Sequence, residues 1–578
     1  MRKKAAYTQR LWRRLALWRR CALVAFAAIA MLVQLGGSSA AVSATPDEIG
    51  QWSAPASWPL VAINLVLQPS GKVLAWDGWD DAPNSERLWD PVSGSFLPVP
   101  YGRNLFCSGA NQLADGRTLI LGGHVNANFG LFDTTIFDSG TNTYFRGQDM
   151  SVRRWYPTNT LLPDGRTLVF AGDNIDENRP GAPPAFSDAS VDSLPEIYNP
   201  TTNSWAALTS ARLTTPLYPY MFVLSDGRVL DAGPDTVTRA LNVGSGTWAT
   251  IGNSPFDGMS AVMYRPNKIM KSGSWATPEA DGIPPTYNAH GRTAVLDMNA
   301  PSPAWRETAP MAFGRAYQTL TLLPDGTVLV SGGMSTSDGV DITKAVLPAE
   351  IWNPDTETWT TVAPLQNGRE YHSTAILLKD GRVLMAGGGS LPGSIAVNQR
   401  NAEIYSPPYL FKGPRPTITS APAGASYGSS FDVVTPNAGQ IAKVSLIRLG
   451  AVTHGFDQNQ RFQFLTFTGG AGRVTVDAPA SANLAPPGDY MLSLVDTNGV
   501  PSVSAFIRLS ASGDTTPPSA PTALTAAPSS GQVELSWGGS TDAGGLANYN
   551  VHRSTSAGFT PSAANRIAQP TATSYTDS

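Results

Sequence analysis

The chain has 578 residues, with 55 glycines, 47 prolines and only 15% charged side chains. This length exceeds that of one domain, and so many turn-forming residues exclude a mainly helical protein. The formal net charge is −4 and becomes −12 without the eight basic residues among the first twenty, which argues against nucleic acid as a partner.

The N-terminus has the composition of an export signal. The stretch "MRKKAAYTQRLWRRLALWRR" carries eight basic residues and no acid, and the apolar run "CALVAFAAIAMLVQL" and the small residues "GGSSAAVSA" follow it. We predict a signal peptide over residues 1–44, cleaved after Ala40 or Ala44, and hence a secreted protein. The alternative is an uncleaved membrane anchor, although residues 21–35 are fewer than the ~20 needed to span a bilayer.

A repeated hairpin fills residues 45–412. Seven copies combine an apolar strand, an Asp-Gly-type turn, a second apolar strand and a small-residue end, as in "NTLLPDGRTLVFAGD" and "AILLKDGRVLMAGGG". They recur every 40 to 60 residues or so, the period of kelch repeats. A second hairpin such as "EIYNPTTNSW" follows each copy, so each unit supplies four strands. The pattern predicts an all-β chain with a seven-bladed kelch-type β-propeller.

Two further β modules are predicted after the propeller. Residues 413–511 alternate and turn like an immunoglobulin-like β-sandwich. A Pro/Thr/Ser linker at 512–518 then leads to a partial fibronectin type III-like module at 519–578, with Trp537 and Tyr549 in its core. The sequence given ends before the last strands of such a module, so its completeness stays open.

One position in the repeat collects unusual residues. The residue eight positions before the turn Asp is Cys107, Tyr156, Tyr218, Tyr317 or His372 in five of the hairpins. Residues at matched distances from a turn lie at the same end of a blade, so we expect these side chains to meet at one end of the central axis. For the tyrosines at 218 and 317, a general preference of the repeat for a bulky residue at this inward position is the favoured explanation.

The nature of these residues suggests a metal. Tyr371 and His372 are adjacent, and nitrogen together with phenolate oxygen suits Cu(II). A second histidine, His454, lies in a predicted turn within "AVTHGFDQNQRF". Of the two cysteines, Cys21 lies in the signal segment, so Cys107 has no partner for an internal disulfide in the mature chain.

Four motifs in order resemble one enzyme family. The segments "LFCSGANQLADGRTLILGG", "RRWYPTNTLLPDGR", "REYHSTAILLKDGRVLMAGGG" and "VTHGFDQNQRF" look like those of the copper radical oxidases, the family of galactose oxidase and glyoxal oxidase. The similarity extends over about residues 50–511. It implies a copper enzyme that oxidises primary alcohols or small aldehydes with O₂ and releases hydrogen peroxide.

The resemblance also implies a role for each matched residue. Tyr156 would be an equatorial copper ligand, joined to Cys107 by a thioether to form the Cys-Tyr radical cofactor. Tyr371 would be the axial ligand and catalytic base. His372 and His454 would be the two imidazole ligands of the copper ion.

Two departures from galactose oxidase bear on the substrate. The tryptophan that stacks over the crosslink in that enzyme is replaced by Asn174 in "VFAGDN", and Trp275 is our hypothesis for a substitute, an ordinary packing tryptophan being the alternative. The arginine that holds galactose has no match, since Tyr218 and Tyr220 occupy that region. The sequence therefore favours the glyoxal oxidase or bacterial type.

A rival interpretation is a non-catalytic kelch propeller that binds cell-surface carbohydrate. A propeller glycosidase would need two carboxylates beside a sugar, but the Asp-Gly acids are predicted at the other end of the blades. We expect a monomer acting on a small-molecule alcohol, aldehyde or carbohydrate with O₂, with cell-wall or glycan association through the C-terminal modules. The sequence assigns no role to His124, His290 or His552.

Overall fold

The computed structural model describes residues 44–78, 84–126, 128–175, 191–275, 288–337, 339–390, 396–510, 519–540, 548–562 and 565–578. Within them the regular secondary structure is almost entirely β-strand, which confirms the all-β prediction. The helical segments are the α-helix Pro46–Ile49 and the 3₁₀ turns Thr209–Ala211, Ile342–Lys344, Pro408–Phe411 and Ala438–Gln440. No helix in the described ranges is long and apolar enough to cross a membrane. The predicted signal peptide up to residue 43 and the predicted linker lie outside the described residues.

Seven antiparallel sheets follow one another along the chain, and we number them 1 to 7. The strands of sheets 1 to 3 are Asn64–Leu67, Val73–Trp76, Arg87–Trp89 and Phe96–Pro98; Gly109–Gln112, Thr118–Leu121, Thr134–Asp138 and Thr143–Arg146; and Thr158–Leu161, Thr167–Phe170, Glu196–Asn199 and Ser204–Ala207. The strands of sheets 4 and 5 are Met221–Val223, Val229–Asp231, Val237–Asn242 and Thr247–Asn253; and Ser260–Arg265, Lys268–Trp275, Ala289–Asp297 and Trp305–Glu307.

The last two sheets differ in how they are completed. The strands of sheet 6 are Thr319–Leu322, Val328–Ser331, Pro348–Asn353 and Thr358–Pro364. Sheet 7 consists of Ser373–Leu377, Val383–Gly387 and Asn401–Ser406, and the early strand Gln51–Trp52 pairs with the last of these. A second short strand, Ala56–Ser57, also pairs there. The beginning of the described chain therefore closes the sheet formed by residues 373–406.

The turn chemistry explains why the first two strands of sheets 2, 3, 4 and 7 form hairpins. In sheet 3 the Asp164 carboxylate accepts hydrogen bonds from the backbone N–H and the side chain of Arg166, at 3.1 and 2.8 Å. Gly165 between them has φ 83°, a conformation that favours glycine. The same Asp and Arg contact recurs in the hairpin turns of sheets 2, 4 and 7. The aspartates of these turns are therefore bound by arginines within the turns themselves.

The first strands of the sheets lie against one another. Contacts join the first strands of sheets 2 and 3, 3 and 4, 5 and 6, 6 and 7, and 7 and 1. In sheets 1, 2 and 3 the first two strands are buried along their whole length. These strands therefore lie in the interior, and the fourth strands of the same sheets, which are largely exposed, lie on the outside.

A hairpin from the C-terminal part enters this interior. Strands Ala451–Thr453 and Phe456–Asp457 add to sheet 1, where Thr453 pairs with Asn64. The loop that follows meets inner strand edges, whose backbone donors need partners. The Gln458 side-chain oxygen accepts from the backbone N–H groups of Ala110 and Asn159, at 3.1 and 3.0 Å.

Gln460 makes a similar hydrogen bond to a different sheet. Its side-chain oxygen accepts from the backbone N–H of Leu322 in sheet 6 at 3.0 Å. The Asp457 carboxylate accepts three backbone N–H bonds within the hairpin and loop, which fixes the loop conformation. The segment "FDQNQR" thus ties sheets 1, 2, 3 and 6 together.

Apart from the inserted hairpin, the strands between residues 413 and 510 form two packed sheets. Their strands are Gly424–Ser426, Ile441–Arg448, Phe462–Leu465, Gly488–Asp496 and Ala505–Ser510 in one sheet, and Ser430–Val434, Phe467–Gly470 and Arg473–Asp477 in the other. One buried core between the sheets includes Val444, Val476 and Leu492. This arrangement is compatible with the predicted sandwich, while the module boundaries stay predictions.

The residues after 518 form two small sheets. Their strands are Thr522–Ser529, Gln532–Gly538 and Ser574–Asp577 in one, and Val551–His552 and Arg566–Ala568 in the other. The rings of Trp537 and Tyr549 lie 5.4 Å apart, as expected for core neighbours.

Candidate active site

Each of the five register residues has the same unusual backbone conformation. Cys107, Tyr156, Tyr218, Tyr317 and His372 have φ values of 58°, 68°, 48°, 61° and 71°. Positive φ is uncommon for residues other than glycine. Each residue stands one to three positions before the first strand of its sheet. The shared register predicted from the turn is therefore a repeated backbone feature.

Buried ion pairs hold three of these segments in place. Arg154, Arg315 and Arg369 lie two residues before Tyr156, Tyr317 and Tyr371, and their side chains are fully buried. Each pairs with a buried glutamate from the third strand of its own sheet, at 2.9, 2.7 and 3.1 Å. Each also donates to backbone carbonyl groups. Such paired and hydrogen-bonded charges fix the chain that leads into the tyrosines.

The structure brings the four predicted metal ligands together. The hydroxyl oxygens of Tyr156 and Tyr371 are 2.8 Å apart, and His372 Nε2 lies 3.5 Å from the Tyr156 oxygen. The ring centroids of His372 and His454 are 4.7 Å apart. The turn between the two inserted strands, with φ 51° at His454, carries this second histidine into the cluster.

The hydrogen bonds of both histidines define their tautomers. His372 Nδ1 lies 2.7 Å from the Gly389 carbonyl, which can only accept, so Nδ1 carries the proton and Nε2 has a lone pair. His454 Nδ1 lies 2.6 Å from the Thr453 hydroxyl, whose own proton goes to the Ile63 carbonyl. His454 Nδ1 must therefore donate. Its Nε2 is buried and has no hydrogen-bond partner among the described residues.

Burial keeps both imidazoles neutral. Removal from water lowers the pKa of His372 to about 4 and the pKa of His454 well below its usual value, and the His372 ring contributes to the second shift. The same removal from water raises the pKa of Tyr156 and of Tyr371. The cluster therefore offers two neutral nitrogen donors and two phenolic oxygens.

Cys107 lies against Tyr156 in the same buried cluster. The Tyr156 backbone N–H donates to the Cys107 carbonyl at 2.9 Å, which fixes the two residues relative to each other. Burial raises the pKa of the Cys107 thiol well above its usual value. The thiol is therefore protonated and is unlike the low-pKa cysteines that act as nucleophiles.

Aromatic rings surround Tyr156. The Trp155 ring stacks on it with centroids 4.0 Å apart and planes 12° apart, and the Tyr218 ring lies 4.8 Å away. The Tyr317 ring meets Tyr371 edge-on at 5.1 Å, and the Tyr317 hydroxyl donates to the Ser337 carbonyl at 2.8 Å. These rings exclude water from most of the cluster, while Tyr371 remains partly exposed.

Sequence reasoning missed Trp155. Neighbouring side chains on a strand point to opposite faces, so strand alternation gives no reason to place Trp155 against the Tyr156 ring. The positive φ at Tyr156 removes that alternation. The proposed stacking residue Trp275 ends its strand and pairs with Ala289 through the backbone, but its side chain lies outside the described residues.

The remaining histidines have separate positions. His124 accepts a hydrogen bond from the Trp155 indole, whereas His290 is exposed on a strand of sheet 5. His552 contacts Asn565 in the terminal module. Among the described residues no group of three or more His, Cys, Asp or Glu side chains could hold a metal, so a metal in this cluster needs the tyrosines as ligands.

Comparisons with known proteins show which enzymes this chain resembles. The family model "Glyoxal oxidase N-terminus" matches residues 271–405, and "Galactose oxidase-like, Early set domain" matches residues 415–509. Galactose oxidase of Gibberella zeae is 28% identical over 503 residues, which cover 80% of this chain and 71% of that protein. The predicted resemblance to the copper radical oxidases is thereby confirmed, and so is the prediction of a copper oxidase.

Other similar proteins give the same result. Aldehyde oxidase GLOX of Vitis pseudoreticulata is 26% identical over 469 residues, covering 73% of this chain and 85% of that protein. The solved structure of a fungal alcohol oxidase of the AA5 family in complex with copper superposes with a TM-score of 0.69 at 24% identity, over 80% of this chain and 100% of that one, and supports the fold. These identities do not place this oxidase nearer to either type, so the predicted glyoxal oxidase type stays a prediction.

Proposed function

We propose that this oxidase is a secreted copper radical enzyme that oxidises primary alcohols or small aldehydes with O₂ and releases hydrogen peroxide. One observation carries the proposal: two tyrosine hydroxyls and two neutral imidazoles meet beside a buried, protonated cysteine. We also infer that sheets 1 to 7 are the blades of a kelch-type β-propeller, with the site at one end of its axis.

The donor set fits copper. Cu(II) prefers nitrogen and oxygen ligands in a tetragonal site, and metal-binding histidines must be neutral. His372 and His454 would supply Nε2, and each imidazole is oriented by a hydrogen bond from its Nδ1–H, as is usual for metal-bound histidine. Tyr156 and Tyr371 would supply the oxygens. The buried Nε2 of His454 needs such a partner, since a lone polar atom is costly to bury.

Cys107 and Tyr156 would form the organic half of the cofactor. A thioether between the cysteine sulfur and the tyrosine ring forms with the loss of two hydrogen atoms, which O₂ accepts. A sulfur-substituted phenol is easier to oxidise than tyrosine. The packing of the two side chains in one buried cluster and the backbone hydrogen bond between the residues support the required proximity.

Different residues of the site then carry out different steps of the reaction. Tyr371, which is partly exposed and bonded to Tyr156, receives the proton of the substrate hydroxyl. The Tyr156 radical takes a hydrogen atom from the substrate carbon. Copper, when bound, supplies the acceptor for the remaining electron and the site of O₂ reduction to hydrogen peroxide. The surrounding rings protect the radical from water.

The substrate class rests on the residues around the cluster. Tyr218 stacks near Tyr156 and donates its hydroxyl hydrogen to the Ser108 carbonyl, so it offers a ring rather than a charge. The described residues place no arginine in contact with the two tyrosines of the cluster. Small aldehydes and primary alcohols, which need no charged clamp, suit this site better than a sugar.

Mass analysis of the crosslink tests the function. The secreted protein is loaded with copper under air, and its intact mass is measured before and after. We expect a loss of two hydrogen atoms, with tryptic peptides 104–117 and 155–166 joined by a bond that reductant does not break. The variant Cys107→Ser is the control and cannot lose this mass.

A peroxide-release assay on small aldehydes and primary alcohols then identifies the substrate. A free Cys107 thiol after copper loading would contradict the proposed radical cofactor and the mechanism that depends on it.

A further inference from the structure

His124 begins a small hairpin beside the site that the repeat pattern did not predict. Strands His124–Asn126 and Phe129–Gly130 pair directly after the second strand of sheet 2. The His124 backbone N–H donates to the Asn104 carbonyl at 3.0 Å, next to the segment that carries Cys107. The histidine backbone is therefore fixed relative to the proposed crosslink.

The His124 side chain accepts a hydrogen bond. The Trp155 indole N–H lies 3.1 Å from His124 Nδ1. An indole can only donate, so Nδ1 carries no proton and the neutral ring has its hydrogen on Nε2. Burial lowers the pKa of His124 to about 4, which agrees with a neutral ring at ordinary pH.

The hydrogen bond holds the indole in a closed group of rings. Phe106 lies 5.4 Å from His124 and meets Trp155 edge-on at 6.4 Å. The Trp155 backbone is fixed by a hydrogen bond to the Asp173 carbonyl at 2.9 Å. The backbone and the indole N–H of Trp155 are thus both held, and the indole plane lies 12° from the Tyr156 plane.

We propose that His124 is a positioning residue for Tyr156, which keeps the Trp155 indole parallel to the tyrosine ring and thereby prolongs the life of the Tyr156 radical. The inference rests on the proposed function, because only a radical oxidase oxidises Tyr156. A parallel indole covers one face of the ring against water, and its π-electrons favour the electron-poor oxidised form. A hydrogen bond to imidazole makes the indole a better electron donor.

Matched variants test this role. His124→Leu removes the acceptor at similar size, His124→Asn restores an acceptor oxygen near the position of Nδ1, and Trp155→Phe removes the donor. The exposed His290→Leu is the control. Each copper-loaded, crosslinked protein is treated with ferricyanide, which takes one electron from Tyr156, and the decay of the radical absorption band is followed after removal of the oxidant.

We expect His124→Leu to shorten the radical half-life roughly fivefold, the ratio that corresponds to one lost hydrogen bond. His124→Asn should recover most of it, and His290→Leu should match the wild type. The variant carrying both His124→Leu and Trp155→Phe should decay no faster than Trp155→Phe, since both changes remove one interaction.

Two other outcomes are distinguishable. A crosslinked wild type with a radical that decays equally fast in His124→Leu would overturn the role of His124 and leave the proposed function intact. A wild type without the crosslink would overturn the proposed function and this inference with it.

Discussion

Tyr371 is the residue at which the proposed chemistry is most directly testable. Its hydroxyl lies 2.8 Å from that of Tyr156, and its ring contacts Tyr317 and His372. Tyr371→Phe removes only the hydroxyl that receives the substrate proton. We expect kcat to fall by at least about 100-fold, the usual contribution of a general base, while the crosslink still forms.

Peroxide release measures the fall in kcat, and intact mass measures whether the crosslink forms. Tyr220→Phe is the control, because its hydroxyl donates to the Gly258 carbonyl outside the cluster. Turnover of Tyr371→Phe at the wild-type rate would show that another group takes the proton.

At the scale of single residues, the sequence predicted which side chains come together but missed the contacts that orient them. The count of eight residues from the turn found Cys107, Tyr156 and His372, since a repeat places equal offsets at equal positions. The stacking of Trp155 depends on one positive φ angle. The tautomer of His372 depends on the carbonyl of Gly389, which no spacing rule connects to it.

At the scale of strands and sheets, the Asp-Gly motifs predicted the inner hairpins, because a short turn depends on residues that are adjacent in the sequence. Very short strands carry no such signal. Gln51–Trp52 has two residues, so no periodicity indicated that it completes sheet 7. The hairpin at His124–Asn126 was missed for the same reason.

Asp231, at the end of the second strand of sheet 4, makes the stability of the fold depend on pH. Burial raises its pKa to about 7; Asp235 also raises it, while the Gly233 N–H, Arg239 and Lys271 oppose the shift. The unfolded chain loses this proton near pH 4 and the folded chain near pH 7. The folded state therefore binds more protons in this window, and stability falls as the pH rises through it.

The variant Asp231→Asn should lack this fall. We expect the free energy of unfolding of the wild type, relative to the variant, to decrease by up to about 4 kcal/mol between pH 4 and pH 7. Urea unfolding of both proteins across this range measures the difference, in which titrating groups remote from Asp231 cancel. Parallel curves would show that Asp231 is ionised in the folded protein already at pH 4.

At the scale of the whole molecule, the C-terminal region is part of the inner structure as well as a separate pair of sheets. The strand Ala451–Thr453 extends sheet 1, and Gln458 and Gln460 bond to sheets 2, 3 and 6. The sequence indicated that His454 reaches the site only through a family resemblance. Nothing local in "AVTHGFDQNQRF" shows that its glutamines match backbone donors more than 100 residues away.

This arrangement predicts that the two truncations of the C-terminus differ. A chain ending at residue 412 lacks His454 and leaves the N–H groups of Ala110, Asn159 and Leu322 without the glutamine oxygens that accept from them. Each buried donor without a partner costs about 1 to 3 kcal/mol, and the total is comparable to the stability of a domain. We expect this chain to be lost to aggregation or proteolysis rather than secreted.

A chain ending at residue 510 is the matched control. It keeps the hairpin, the loop and both packed sheets, and it loses only the terminal sheets after residue 518. Secreted yield, thermal unfolding and crosslink mass should all match those of the full chain. If the chain ending at 412 were secreted with a cooperative unfolding transition, seven sheets would suffice for the fold, and the inserted hairpin would serve only to deliver His454.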